Sequence, residues 1–137
     1  VIKMSKTIEN VELVIHKDEV LQATAEAIER ALTTIGIEWS ERSADMCPVV
    51  TGRLRNSITY ATTHGRGNGR SPHKPEDVKP NATPKKNTVV VGTNVEYAQR
   101  IEEGGAKEEK HTRFIRRGLT ENVNDYKDIL KNELSGN

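Results

Sequence analysis

Gly65-Arg66-Gly67-Asn68-Gly69-Arg70 is the first stretch whose residue types and spacing could do chemistry. Alternating glycine and arginine can bring backbone N–H groups and guanidinium close to a phosphate. A nucleotide-binding loop needs more than this. The Lys-Ser/Thr pair that closes a Walker A loop is absent, and no helix pattern follows. The spacing and context of a dinucleotide fingerprint are missing too. What remains is charge. From Thr63 to Asn87 the cations are Arg66, Arg70, Lys74, Lys79, Lys85 and Lys86, against Glu76 and Asp77. Such a segment attracts phosphates through counterion release, without reading sequence. It holds no aromatic side chain on which bases could stack, so single strands are not its expected target.

Other candidate groups lead to plainer readings. Cys47 is the only cysteine, which excludes an intramolecular disulfide and a cysteine-pair metal site. At a helix end before Pro48 it reads as a small buried apolar residue, because a helix C-terminus disfavours the thiolate. His16, His64, His73 and His111 are scattered and build no metal set. Glu102-Glu103 and Glu108-Glu109 read as solvated surface charges. No nucleophile–base arrangement is indicated. The expected catalytic, cofactor and metal sets are therefore empty, and the chain reads as a non-enzyme.

At 137 residues the chain suffices for one domain, spanning 1–137. Only 34% of it is hydrophobic, with a single Trp and a single Phe, so the core is thin and partners are expected to add stability. The net charge of +1 conceals a basic middle and a mildly acidic end from Leu119 onward. No apolar run is long enough for a signal peptide or a membrane span. A reducing cytosol is the expected folding compartment, and the Asn81-Ala82-Thr83 sequon reads as chance. Met4 reads as the natural start, preceded by a short added leader. Residues 1–8 and 135–137 are expected to lack structure.

The elements that must hold these groups follow from periodicity. Val11, Leu13 and Ile15 alternate as a strand. Asp18 offers an N-cap oxygen to a long helix whose apolar stripe is Leu21, Ala25, Ile28, Leu32, Ile35, Trp39 and Met46. Gly36 should weaken its middle by ~1 kcal/mol relative to alanine. Pro48 ends the helix. Thr51 can cap a turn through Gly52-Arg53-Leu54-Arg55, with Leu54 and Ile58 on one side. Ile58, Tyr60 and Thr62 alternate as a strand, and Thr88–Thr93 forms a second that pairs with it as a hairpin. The connection between them, 63–87, runs to about 25 residues where ~2–5 are usual. Its glycines and prolines predict a flexible loop without regular structure. Asn94 can cap a helix through Ile101 that stops at Gly104-Gly105. Thr112 can cap a last helix striped by Ile115, Leu119, Val123, Tyr126, Leu130 and Leu134. The predicted fold class is α+β: a long N-terminal helix packed on a small antiparallel sheet with a long hairpin loop, plus C-terminal helices.

The stretch Pro48-Val49-Val50-Thr51-Gly52-Arg53-Leu54-Arg55-Asn56-Ser57-Ile58 resembles the P-V-x-T-G-x-L-R-x-S-I segment of tailed-bacteriophage neck proteins, the head–tail joining or tail-completion family of the HK97 type. Three further segments follow in the family's order. Gly92 with Tyr97-Ala98 resembles V-G-T-x-x-x-Y-A, Glu102 and Gly104 stand where the family has V-E-x-G, and Phe114 opens a segment resembling P-F-L-R-P-A-L. Arg113 replaces a proline there, and Arg117-Gly118 replaces Pro-Ala. The resemblance covers roughly residues 19–134.

The resemblance implies a structural virion protein, assembled in the bacterial cytoplasm, that forms a ring in the phage neck between the DNA-filled head and the tail. Its implied partners are itself, in a cyclic oligomer of about six or twelve copies, the adjacent connector or head-completion ring, the tail-terminator ring, and DNA in the channel. No membrane is involved. Pro48, Thr51, Gly52, Leu54, Arg55, Ser57, Ile58, Gly92, Tyr97, Ala98, Glu102, Gly104 and Phe114 are then structural, and Thr51-Gly52 sets the angle between helix and sheet. Arg66, Arg70, Lys74, Lys79, Lys85 and Lys86 would meet a neighbouring ring or DNA. The alternative is a double-stranded nucleic-acid-binding module that uses the same basic loop as an arm.

Overall fold

The computed structural model describes residues 2–6, 10–15, 24–49, 52–80, 82–105 and 113–134. Strands β1 (Ile2–Lys6) and β2 (Asn10–Ile15) open it as an antiparallel pair, with Ile2 opposite Ile15 and Met4 opposite Leu13. β2 is the strand that alternation predicts. β1 places Ile2–Lys6, within the 1–8 stretch expected to lack structure, in a strand; residues 1, 7, 8 and 135–137 lie outside the described residues. Its Ile-Lys-Met-Ser alternation has the period of β2 and is in register with it, which favours pairing.

Helix α1 is Ala25–Met46. Thr24 is extended, and its hydroxyl accepts a 3.1 Å hydrogen bond from the Ala27 N–H, so it is the N-cap. The helix thus begins at Ala25. Asp18, the expected cap, and Leu21 lie outside the described residues. Ile28, Leu32, Ile35 and Trp39 form the buried stripe, and Met46 is partly buried against it. Cys47 is already extended, as the residue before a proline should be.

Gly36 lies on the buried face of α1 for a reason that helix propensity misses. A Cβ there would fall 2.8 Å from the Tyr60 Cβ and Cγ. The helix rests directly on the strand beneath it only because residue 36 has no side chain.

The short helix α2 (Arg53–Ser57) follows Gly52, whose left-handed φ of +86° turns the chain. No side chain caps α2 from that position, and Thr51, the expected cap, lies outside the described residues. Next come β3 (Thr59–Thr62), β4 (Gly65–Arg66) and β5 (Thr88–Gly92). β3 and β5 pair antiparallel, as expected. The connection between them is not without regular structure. β4 folds back onto β3, and Pro75–Asp77 makes a 3₁₀ turn. The sheet order is β1-β2-β5-β3-β4, antiparallel throughout.

Helix α3 (Ala98–Arg100) runs on into a wide π turn, Ile101–Gly105. The single last helix expected from the sequence is two, α4 (Phe114–Thr120) and α5 (Val123–Leu134). At the break, the Asn122 side-chain amide and the Tyr126 hydroxyl both donate to the Gly118 carbonyl, at 3.1 and 2.7 Å. Side-chain donors there take a carbonyl that a continuous helix would use itself. The architecture is the predicted α+β class. α1 packs on β3 and β5 and against α4 and α5, around Ile35, Trp39, Val89, Val91, Phe114 and Ile115.

Candidate functional site

The residues that carry the resemblance meet in the core and at one polar junction. Leu54, Ile58, Ala98 and Phe114 are core residues, with Tyr97 partly buried beside them. Ser57 is fully buried; its hydroxyl donates to the Leu54 carbonyl at 2.7 Å and shares a 2.6 Å hydrogen bond with Thr93. Gly92 ends β5, and Gly104 lies in the π turn. Arg55 reaches Asp45 at 3.6 Å. Pro48 stops α1.

Arg53 is the centre of that junction, and sequence reasoning did not single it out. Its guanidinium donates to both Asp77 carboxylate oxygens at 3.0 and 3.1 Å and to both Glu96 oxygens at 2.9 and 3.1 Å. It also lies 5.9 Å from the centre of the Tyr97 ring. These hydrogen bonds hold Arg53 firmly charged and keep the Glu96 carboxyl below the usual carboxylate range. Burial pushes the Tyr97 phenol up. Asp77, read from sequence as a mere counter-charge in a basic loop, is only 2% exposed. A buried carboxylate requires such a partner. The clue in the sequence was Pro75-Glu76-Asp77, a turn signal inside a run that otherwise lacks regular pattern.

The same turn is tied to the end of β5. The Asn94 N–H donates to the Asp77 carbonyl at 3.0 Å, and its side-chain amide donates to the Glu76 carbonyl at 3.0 Å. Asn94 was expected to cap α3; it pins the connection instead, and Tyr97 precedes α3 without a side-chain cap.

The six cations of the connection divide into two groups. Arg66 donates to the Val78 carbonyl inside the segment. Arg70 reaches across to α1, with Asp45 at 3.0 Å and Glu41 at 3.5 Å, and its N–H donates to the Asn56 carbonyl at 2.8 Å. Lys74, Lys79, Lys85 and Lys86 are exposed and make no ion pair among the described residues. Lys74 does lie near enough to Glu96 to favour its charged form. Lys79 lines a groove of about 340 Å³ with Arg66, Pro80, Thr83 and Pro84.

Chemistry is sparse elsewhere. Among the described residues no three His, Cys, Asp or Glu side chains gather as metal ligands. His64 lies 3.2 Å from Glu29, and His73 is exposed; His16, His111, Glu108 and Glu109 lie outside the described residues. Cys47 is buried, and desolvation pushes its thiol up to about 12, the setting of an inert thiol. Gly65-Arg66 is committed to pairing with β3, so the glycine-rich run forms no helix-backed phosphate cradle.

Glu102 corrects a second expectation. It is 2% exposed, not a solvated charge. Its two oxygens accept from the Ile115 and Arg116 N–H groups at 2.8 and 3.2 Å, and so cap α4 from a distance. Arg113, in left-handed backbone at φ +53°, supplies no side-chain cap itself, and Thr112 lies outside the described residues.

No helix among the described residues is long and apolar enough to cross a membrane. No protein-family model, curated protein or solved structure matches the chain.

Proposed function

We propose that this protein is a structural subunit of a tailed-phage neck, forming a ring with copies of itself that joins the DNA-filled head to the tail. The observation that carries the reading is the placement of the residues that resemble the neck family. Leu54, Ser57, Ile58, Ala98 and Phe114 are buried in the core, and Tyr97 lies against Arg53 at the polar junction. Their work is to fix α1, the sheet and the long connection in one relative arrangement, which is what an assembly subunit needs. The connection is held at its base by Asp77 and Asn94, and its lysines point to solvent as a contact segment would. In this reading the chain performs no chemistry, and adjacent connector and tail-terminator rings are its neighbours.

Electron microscopy of lysates from a phage or prophage lacking this gene tests the reading. Separate filled heads and finished tails are the expected result. Intact infectious particles would overturn it.

A further inference from the structure

We propose that Lys74, Lys79, Lys85 and Lys86 form a contact set for the backbone of duplex DNA, with Arg70 serving as a staple that holds their segment in place. This rests on reading the connection as the contact segment of the molecule. The first observation separates the lysines from the arginines, and two more favour DNA over a protein partner.

The first is where the guanidinium groups go. Arginine's planar fork suits paired recognition of carboxylates and phosphates alike. Arg70 spends that fork on Asp45 and Glu41 of its own α1, and Arg66 turns toward its own Val78 carbonyl. The groups presented outward are ammonium point charges on flexible stems, which tolerate many phosphate positions.

The second is what the segment lacks. A protein interface centres on buried aromatic or aliphatic anchors. The large apolar side chains exposed among the described residues are Ile37 and Val49, neither in the connection. The segment therefore offers charge without an anchor. Its lack of aromatic residues also removes the stacking platform that single strands need.

The third is local charge. Asp77 is neutralised by Arg53, which leaves Glu76 as the one exposed acid between Thr63 and Asn87 among the described residues. Asp77 is buried against Arg53 and presents no carboxylate to a phosphate approaching the lysines. Arg53 also binds Glu96, which lies outside the connection and near Lys74, so within the connection itself the exposed acid is Glu76.

The test is fluorescence anisotropy of the full chain with a labelled duplex of arbitrary sequence, titrated across salt concentration. With about four phosphates neutralised, log affinity should fall with log salt at a slope near −3.6, about 150-fold between 50 and 200 mM. Each Lys→Gln substitution should reduce the slope by about 0.9 and weaken binding to every sequence alike. Arg70→Gln should leave the slope unchanged. Duplex affinity with an unaltered slope in the quadruple Lys→Gln protein overturns the proposal. So does binding to polyglutamate without binding to the duplex, which would identify an acidic protein surface as the partner. Lysine-dependent duplex binding combined with normal particles from the gene deletion upholds this proposal and overturns the neck reading. Unjoined heads and tails combined with no duplex binding do the reverse.

Discussion

Glu102 sits in polar sequence beside another glutamate, yet its carboxylate is buried and bonded to two N–H groups at the start of α4. Glu102→Ala would leave both donors without this acceptor, the Ile115 N–H in a buried site, a loss of about 1–3 kcal/mol. Glu102→Gln keeps one accepting oxygen and should lose less; urea denaturation of the two variants checks the order. Two other buried groups make the fold weaken at alkaline pH. Burial raises the Cys47 thiol from 9.0 to about 12 and the Tyr126 phenol from 10.0 to about 12. Both are acids whose neutral form the fold favours. Their contribution is whole below the unfolded values and is lost as pH rises toward the folded ones, because the unfolded chain gives up its protons first. Stability should therefore hold to about pH 9 and fall from there to about pH 12. Cys47→Ala should remove the earliest part, about 1 kcal/mol between pH 9 and 10, and leave the Tyr126 part. A urea midpoint independent of pH from 9 to 12 would contradict the burial argument.

Helices and strands were legible where one face repeats. The α1 stripe, the Thr88–Gly92 run and the β3–β5 pairing all follow from the spacing of apolar residues. The α4–α5 break was not, because Ile115, Leu119, Tyr126 and Leu130 keep a helical stripe straight across it. What divides them is hydrogen bonding to one carbonyl, which spacing does not record. The roles of Asp77, Asn94 and Glu102 were hidden for the same reason: each acts on a segment distant in the chain. Gly36 gives the sharpest contrast between local and tertiary reasoning. Helix propensity predicts that Gly36→Ala stabilises α1 by up to ~1 kcal/mol. The Tyr60 contact predicts the opposite sign, since a new Cβ at 2.8 Å must push helix from strand. Overpacking of this kind destabilises by about 1–3 kcal/mol. A lowered urea midpoint for Gly36→Ala is the expected result, and a raised one would contradict a direct contact between α1 and Tyr60 of β3.

At the scale of the whole molecule, the connection is a folded base carrying exposed charge, and the two parts should separate by mutation. From the sequence, all six cations form one set, but replacing all six together would not test contact alone. Arg66 ties the segment to itself through the Val78 carbonyl, and Arg70 ties it to α1, so both also hold structure. Replacing Lys74, Lys79, Lys85 and Lys86 with serine touches side chains in solvent and should change stability by no more than about 0.5 kcal/mol. Replacing Arg66 and Arg70 removes a hydrogen bond to a carbonyl and a partly exposed ion pair and should cost about 1 kcal/mol, the ion pair being screened by water. In a phage that depends on this gene, the lysine variant should accumulate as a stable protein while filled heads and tails remain unjoined. The arginine variant should lower yield in proportion to its lost stability, with partial recovery at lower temperature. Normal yield from a folded lysine variant would remove the contact role from the connection. Its length would then serve the fold alone, through Asp77 and the junction it completes.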